Sequence, residues 1–147
     1  MGLRVTRSLA LTCTTTRIRC ETVAAVLVVD DSKVMRDMIG ACLRPDPRIA
    51  ITQAASGLEA IERLSLDPFD LVVLDLNMPD VGGIEVVEFV RAQDKLKSLP
   101  ILIVTTRGDE SSRTKVMEAG ASRYMTKPFT PEALLTEVQS LLDESGR

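Results

Sequence analysis

The chain has 147 residues, 45% of them hydrophobic and 27% charged, with a formal net charge of −3. That suffices for one domain with its own core, is ordinary globular composition rather than disorder, and lacks the basic footprint of a nucleic-acid binder. Histidine is absent, which removes Ser-His and Cys-His catalysis and most zinc sites.

Residues 1–22 stand apart from the rest of the chain. Met1 to Cys20 carries Arg4, Arg7, Arg17 and Arg19, no acidic residue and many threonines. Ser8 to Cys13 is short for the apolar core of a signal peptide and is interrupted by Thr12, and no clean cleavage site comes after it. Residues 1–22 are expected to be a flexible leader or a start-site extension outside the fold. Cys13 and Cys20 fall there; with Cys42 they form an odd, unpatterned set rather than a disulfide framework. Cys42 lies on an apolar helical stripe and reads as a small buried hydrophobe.

From Val23 to Leu142, short aliphatic runs alternate with segments of helical period. Ala25–Val29 predicts a first strand, and Met35, Met38, Ile39 and Cys42 predict a helix over Lys33–Leu43 with its methionines in the core. Ile49–Ala54 is the second strand, and Ser56 with Glu59 forms a capping box ahead of Leu58, Ile61 and Leu64. Leu71–Leu74 precedes a helix over Gly83–Ala92 with Ile84, Val87 and Val90 on its stripe. Ile101–Val104 precedes a helix over Ser112–Ala119, ended by Gly120 as a left-handed C′ residue. Arg123–Met125 is a weak fifth strand. Thr130 as N-cap and Pro131 at the first helical position then open a helix along Leu134, Leu135, Val138, Leu141 and Leu142. Residues 143–147 are expected to be a polar tail.

Strands separated by single helices pair in parallel through right-handed crossovers. Five such units predict one doubly wound (βα)5 α/β domain over residues 23–142, with a five-stranded parallel sheet. Its site is expected in the crevice at the strand carboxyl ends. No apolar run approaches the about 20 residues needed to span a bilayer, and a soluble cytoplasmic protein is expected.

The residues at those strand ends carry chemistry. Asp30 and Asp31 follow the first strand, Asp75-Leu76-Asn77-Met78-Pro79 the third, Thr105-Thr106 the fourth and Lys127-Pro128 the fifth. Three carboxylates this close repel and raise one another's pKa unless a cation joins them. A hard, oxygen-only site suits Mg²⁺. The metal and Lys127 would neutralise the equatorial oxygens of a phosphoryl group in transfer, and a carboxylate nucleophile would give an aspartyl phosphate. Asp75, central in strand order, is the expected nucleophile, with Asp30 and Asp31 holding the metal and Thr105 bonding a phosphoryl oxygen. Taken singly, each residue has a plainer reading. An Asp pair is a polar turn with helix caps, Lys127 is a solvated surface charge, and Thr105 and Tyr124 are strand formers. Together at one switch point they mark function.

The motifs taken in order resemble the receiver domain of two-component response regulators, and in length the stand-alone, chemotaxis-type (CheY-like) members. The resemblance covers roughly Val23 to Leu142. It rests on Asp30-Asp31, the Asp75-Leu-Asn-Met-Pro loop with Gly83 beyond it, Thr105, and Tyr124-Met-Thr-Lys127-Pro128-Phe129. It implies the flavodoxin-like fold and a phospho-acceptor function: Asp75 accepts a phosphoryl group from a sensor histidine kinase with Mg²⁺ as cofactor. It implies a metal set of Asp30, Asp31, Asp75 and Asn77, in which Asp31 ligates Mg²⁺ directly, Asp30 acts mostly through water, and Asn77 lends its backbone carbonyl. It further implies a cis Lys127–Pro128 bond and a switch pair of Thr105 and Tyr124. The output protein would bind the face made by the fourth helix, fifth strand and fifth helix, about Glu110 to Leu142. The domain itself would bind neither nucleic acid nor membrane, and would catalyse only its own phosphorylation and autodephosphorylation.

Three positions depart from the family pattern. Gly82 stands where the family often has Asp, which weakens the cap of the third helix. Thr106 stands where a small residue is usual, and Arg107 occupies a position that in the family tunes autodephosphorylation together with the one matching Asn77. Rival readings fit less well. A haloacid-dehalogenase-type phosphohydrolase needs a second Asp where Asn77 stands, and a nucleotide or flavin site needs phosphate-binding amides after the first strand, where Asp30-Asp31 would repel phosphate. Nearer alternatives keep the fold: a phosphorelay intermediate or phosphate sink, or the receiver portion of a longer regulator.

Overall fold

The computed structural model describes residues 23–78, 81–106 and 110–145; the leader, Pro79 and Arg107 lie outside the described residues. Five strands alternate with five helices: β1 (Ala24–Val29), α1 (Lys33–Leu43), β2 (Ile49–Ala54), α2 (Gly57–Leu66), β3 (Leu71–Leu74), α3 (Gly83–Ala92), β4 (Ile101–Thr105), α4 (Glu110–Ala119), β5 (Arg123–Thr126) and α5 (Pro131–Ser145). The sheet runs β2-β1-β3-β4-β5, every neighbouring pair parallel. The strand order reverses between β1 and β3, which opens a crevice above their carboxyl ends.

Side-chain alternation along the strands builds two cores. Val26, Val28, Leu71, Val73, Leu102 and Val104 face α1 and α5, where they meet Ile39, Leu43, Leu134 and Val138. Leu27, Val29, Val72, Leu74, Ile101 and Ile103 face α2, α3 and α4, where they meet Ala60, Leu64, Val86, Val87, Val90 and Val116. Strands covered on both faces explain why the sequence shows unbroken aliphatic runs.

Several expectations are adjusted. Met38 is 47% exposed and Leu58 54% exposed, because the buried stripes are narrower than the apolar ones: Ile39, Cys42 and Leu43 on α1, Gly57, Ala60 and Leu64 on α2. Helix α4 starts at Glu110 rather than Ser112, and α5 continues past Leu142 to Ser145. In that last turn Glu144 pairs with Arg123 of β5, so the first residues of the expected tail belong to the helix. The Ser56 hydroxyl accepts from Glu59 N–H at 3.1 Å, but the Glu59 carboxylate reaches Ala55 N–H rather than the cap residue's own. Thr130 caps α5 by accepting from Ala133 N–H at 3.1 Å. Gly120 has φ +122°, the left-handed conformation expected of it.

Candidate functional site

Parallel strands deliver all their carboxyl ends to one rim, and the register decides which meet. Val29 pairs with Leu74, which sets Asp30 beside Asp75. Thr105 pairs with Thr126, one residue before Lys127. Asp30, Asp75 and Thr105 are buried, whereas Asp31, Asn77 and Thr106 are exposed. Carboxylate oxygens of Asp30, Asp31 and Asp75 lie within 4.8 Å of one another. Lys127, whose side chain is 9% exposed, brings its Nζ to 2.8 Å from Asp30 Oδ2 and 3.8 Å from Asp75 Oδ2. Its backbone N–H donates to Thr105 O at 2.9 Å, and the Lys127–Pro128 peptide is cis.

The two buried acids are held differently. Asp30 Oδ1 accepts from Ser32 N–H at 2.9 Å, its backbone N–H donates to Ala54 O at 3.2 Å, and its carbonyl accepts from Arg36 Nη1 at 2.7 Å. Asp75 N–H donates to Val29 O at 3.0 Å, and Oδ1 accepts a long bond from Asn77 N–H at 3.4 Å. Burial raises the Asp75 carboxyl above its ordinary pKa. The Lys127 charge opposes that rise, the Asp30 charge adds to it, and hydrogen bonds from Asn77 N–H and the Thr105 side chain lower it. Burial therefore outweighs the single ammonium. A metal cation on this oxygen-only set would relieve the repulsion among the three carboxylates, which are close enough to share one.

Tyr124 sits on β5 beside Ile103, on the same face of the sheet as Thr105 and α4. The guanidinium of Arg113, on α4, lies 5.5 Å from its ring centroid. Gly83 permits a close approach: a Cβ there would lie 2.8 Å from Asp75 O and from Leu76 Cα, so the start of α3 packs directly under the Asp75 loop. Gly82 offers no side-chain cap, as expected from its departure, but Glu85 Oε1 accepts its N–H at 2.6 Å. Asp30, Asp31, Asp75, Asn77, Thr105 and Lys127 follow or end their strands at this rim, and Tyr124 pairs with Ile103, two residues before Thr105. Arg36 was missed. It belongs to no motif, and nothing in the chain signals that a polar residue of α1 turns back to the end of β1.

Residues 26–139 match the family model of the response regulator receiver domain. The chain is 36% identical to a chemotaxis protein CheY homolog of Campylobacter jejuni, over 80% of this chain and 91% of that protein. It is 38% identical to the transcriptional regulatory protein ResD of Bacillus subtilis, over 83% of this chain but only 49% of that protein. Among solved structures it resembles the chemotaxis response regulator CheY4 of Vibrio cholerae, with a TM-score of 0.76 and 37% identity, over 82% of this chain and 99% of that one. No helix among the described residues is long and apolar enough to cross a membrane.

Proposed function

The chain belongs to the response regulator receiver family of two-component signalling, and we propose that Asp75 is its phosphoacceptor, with Asp30, Asp31, Asp75 itself and the Asn77 carbonyl as the Mg²⁺ site. One observation carries this: three carboxylates within 4.8 Å of one another share the rim with a part-buried ammonium 3.8 Å from Asp75. When bound, the metal supplies positive charge to phosphoryl oxygens in transfer. Asp75 is the nucleophile toward phosphohistidine of a sensor histidine kinase, and the phosphorus–nitrogen bond breaks as the acyl phosphate forms. Lys127 leaves its pairing with the acids to neutralise a phosphoryl oxygen. The Thr105 hydroxyl moves to another, and the Tyr124 ring follows inward. Phosphorylation shifts a pre-existing balance to the extent that these groups bind the phosphoryl better in one arrangement.

The output protein binds the α4–β5–α5 face, in the cytoplasm, and the domain turns over no substrate beyond its own phosphorylation and dephosphorylation. The match to half of ResD supports a second reading, in which the domain is the receiver portion of a longer regulator. Incubation with Mg²⁺ and acetyl phosphate, followed by intact mass, tests the chemistry. A single phosphoryl adduct is expected on the wild type and none on Asp75→Asn. An adduct that survives in Asp75→Asn sinks the assignment, as does a wild type that takes none.

A further inference from the structure

The carbonyl of Asp30 lies where β1 ends and the chain turns toward α1. The neighbouring groups are already committed, Asp30 N–H to Ala54 O and Val29 O to Asp75 N–H. The carbonyl is taken by Arg36 Nη1 at 2.7 Å, from one turn into α1. Arg36 is itself tied to another element: its Nε donates to Gln53 Oε1 on β2 at 3.0 Å, and Gln53 Nε2 donates to Asp37 Oδ1 at 3.1 Å. The guanidinium thus joins the end of β1, helix α1 and the outer strand β2 through two acceptors at once, held at a fixed spacing by its planar fork, a geometry that the rotatable donors of a lysine ammonium do not fix. Asp30 is 1% exposed and the bond to its carbonyl is part-buried, where a carbonyl left without a partner is costly. Without Arg36 the Asp30–Asp31 peptide would turn to find one, and the Asp31 carboxylate would turn with it.

We propose that Arg36 is a positioning residue for the cation site, fixing the β1–α1 turn so that the carboxylates of Asp30 and Asp31 converge with that of Asp75. This rests on the reading of those three residues as the Mg²⁺ site. Coulomb attraction makes the opposite forecast, which gives the test its force. Removing a cation beside an acidic cluster should tighten Mg²⁺ binding on charge alone, whereas loss of positioning weakens it.

Isothermal titration of the full chain with Mg²⁺, in the absence of any phosphodonor, separates the two. Arg36→Met is expected to bind Mg²⁺ about tenfold more weakly, the scale of a lost outer partner at a metal site. Arg36→Lys, with the charge kept and the fork lost, is expected to weaken it too. The acetyl phosphate adduct of Arg36→Met should return to the wild-type rate at saturating Mg²⁺. Binding by Arg36→Met as tight as or tighter than wild type overturns the proposal, and so does a phosphorylation deficit that excess Mg²⁺ leaves unrepaired. If Arg36→Met does not fold, Gln53→Leu decides: a smaller loss of affinity in the same direction supports the proposal, and unchanged affinity overturns it. If the wild type binds no Mg²⁺, the reading of the site fails and this inference with it; if the wild type binds and Arg36→Met binds equally, only the inference fails.

Discussion

Helices α4 and α5 flank the same edge of the sheet from opposite faces, and they are attached by unlike means. Helix α5 buries Leu134, Val138 and Leu141. It adds polar ties: Glu137 and Glu144 to Arg123 of β5, and Gln139 Nε2 to Asp46 Oδ2 at 3.0 Å in the α1–β2 loop. Helix α4 buries Val116 alone, and its Arg113 lies over the Tyr124 ring. Opening free energies vary across a fold with buried apolar contact. Helix α5 is thus part of the frame, while α4 is the helix held by the fewest buried side chains among the described residues.

Substitutions test that contrast, and the largest effect is expected on α5. Leu134 is fully buried, and Leu134→Ala should cost about 2–5 kcal/mol of global stability through lost transfer energy and a residual cavity. Urea unfolding should show a lower midpoint at unchanged slope. A loss confined to α5, with the midpoint intact, would break the idea that this helix belongs to the frame.

Asp46 comes next. It accepts two bonds from the Arg48 guanidinium, at 3.0 and 2.9 Å, besides the one from Gln139. The Arg48 side chain, against the opposing effect of burial and with help from Gln139, holds its carboxyl far below the usual range. Because the folded-state pKa is depressed, the stabilisation is fully present above the unfolded carboxylate pKa of about 4 and is lost as pH falls below it. Asp46→Asn should cost about 1–2 kcal/mol at neutral pH and should flatten the decline of stability with acid. Unfolding curves for both proteins on either side of that pKa check this; parallel declines would remove Asp46 from the account.

The smallest global effect is expected on α4. Val116→Ala removes two methyl groups from its one buried contact, worth about 1–2 kcal/mol at most. It should appear chiefly as faster amide exchange within α4 rather than as a shift of the unfolding midpoint. Exchange that quickens equally in α4 and α5 would erase the distinction between them.

Much of the site was legible because parallel α/β topology maps chain order onto one rim. Once Ala25–Val29, Leu71–Leu74 and Ile101–Val104 read as strands, the residues after them had to meet. The helix faces were read less well. Met38 and Leu58 counted as inward from periodicity, yet they sit at the margin of stripes whose width depends on what packs opposite. The ends of α4 and α5 differ from the local pattern for a related reason. Glu110 and Asp143 to Ser145 are polar, and the last turn of α5 is tied down by Arg123, a partner over twenty positions away that no local pattern announces.

The alternation of strand and helix, the parallel sheet and the identities at the strand ends follow from residue order alone, because period, caps and β-branched runs are local properties. How those side chains share the rim is set by packing across the sheet. That packing placed Lys127 nearer Asp30 than Asp75, buried Asp75 deeply enough that desolvation outweighs the ammonium beside it, and turned Arg36 back onto the carbonyl of Asp30. Those outcomes depend on register, burial and the direction of side chains from separate elements, and each follows from packing across the sheet rather than from neighbours along the chain.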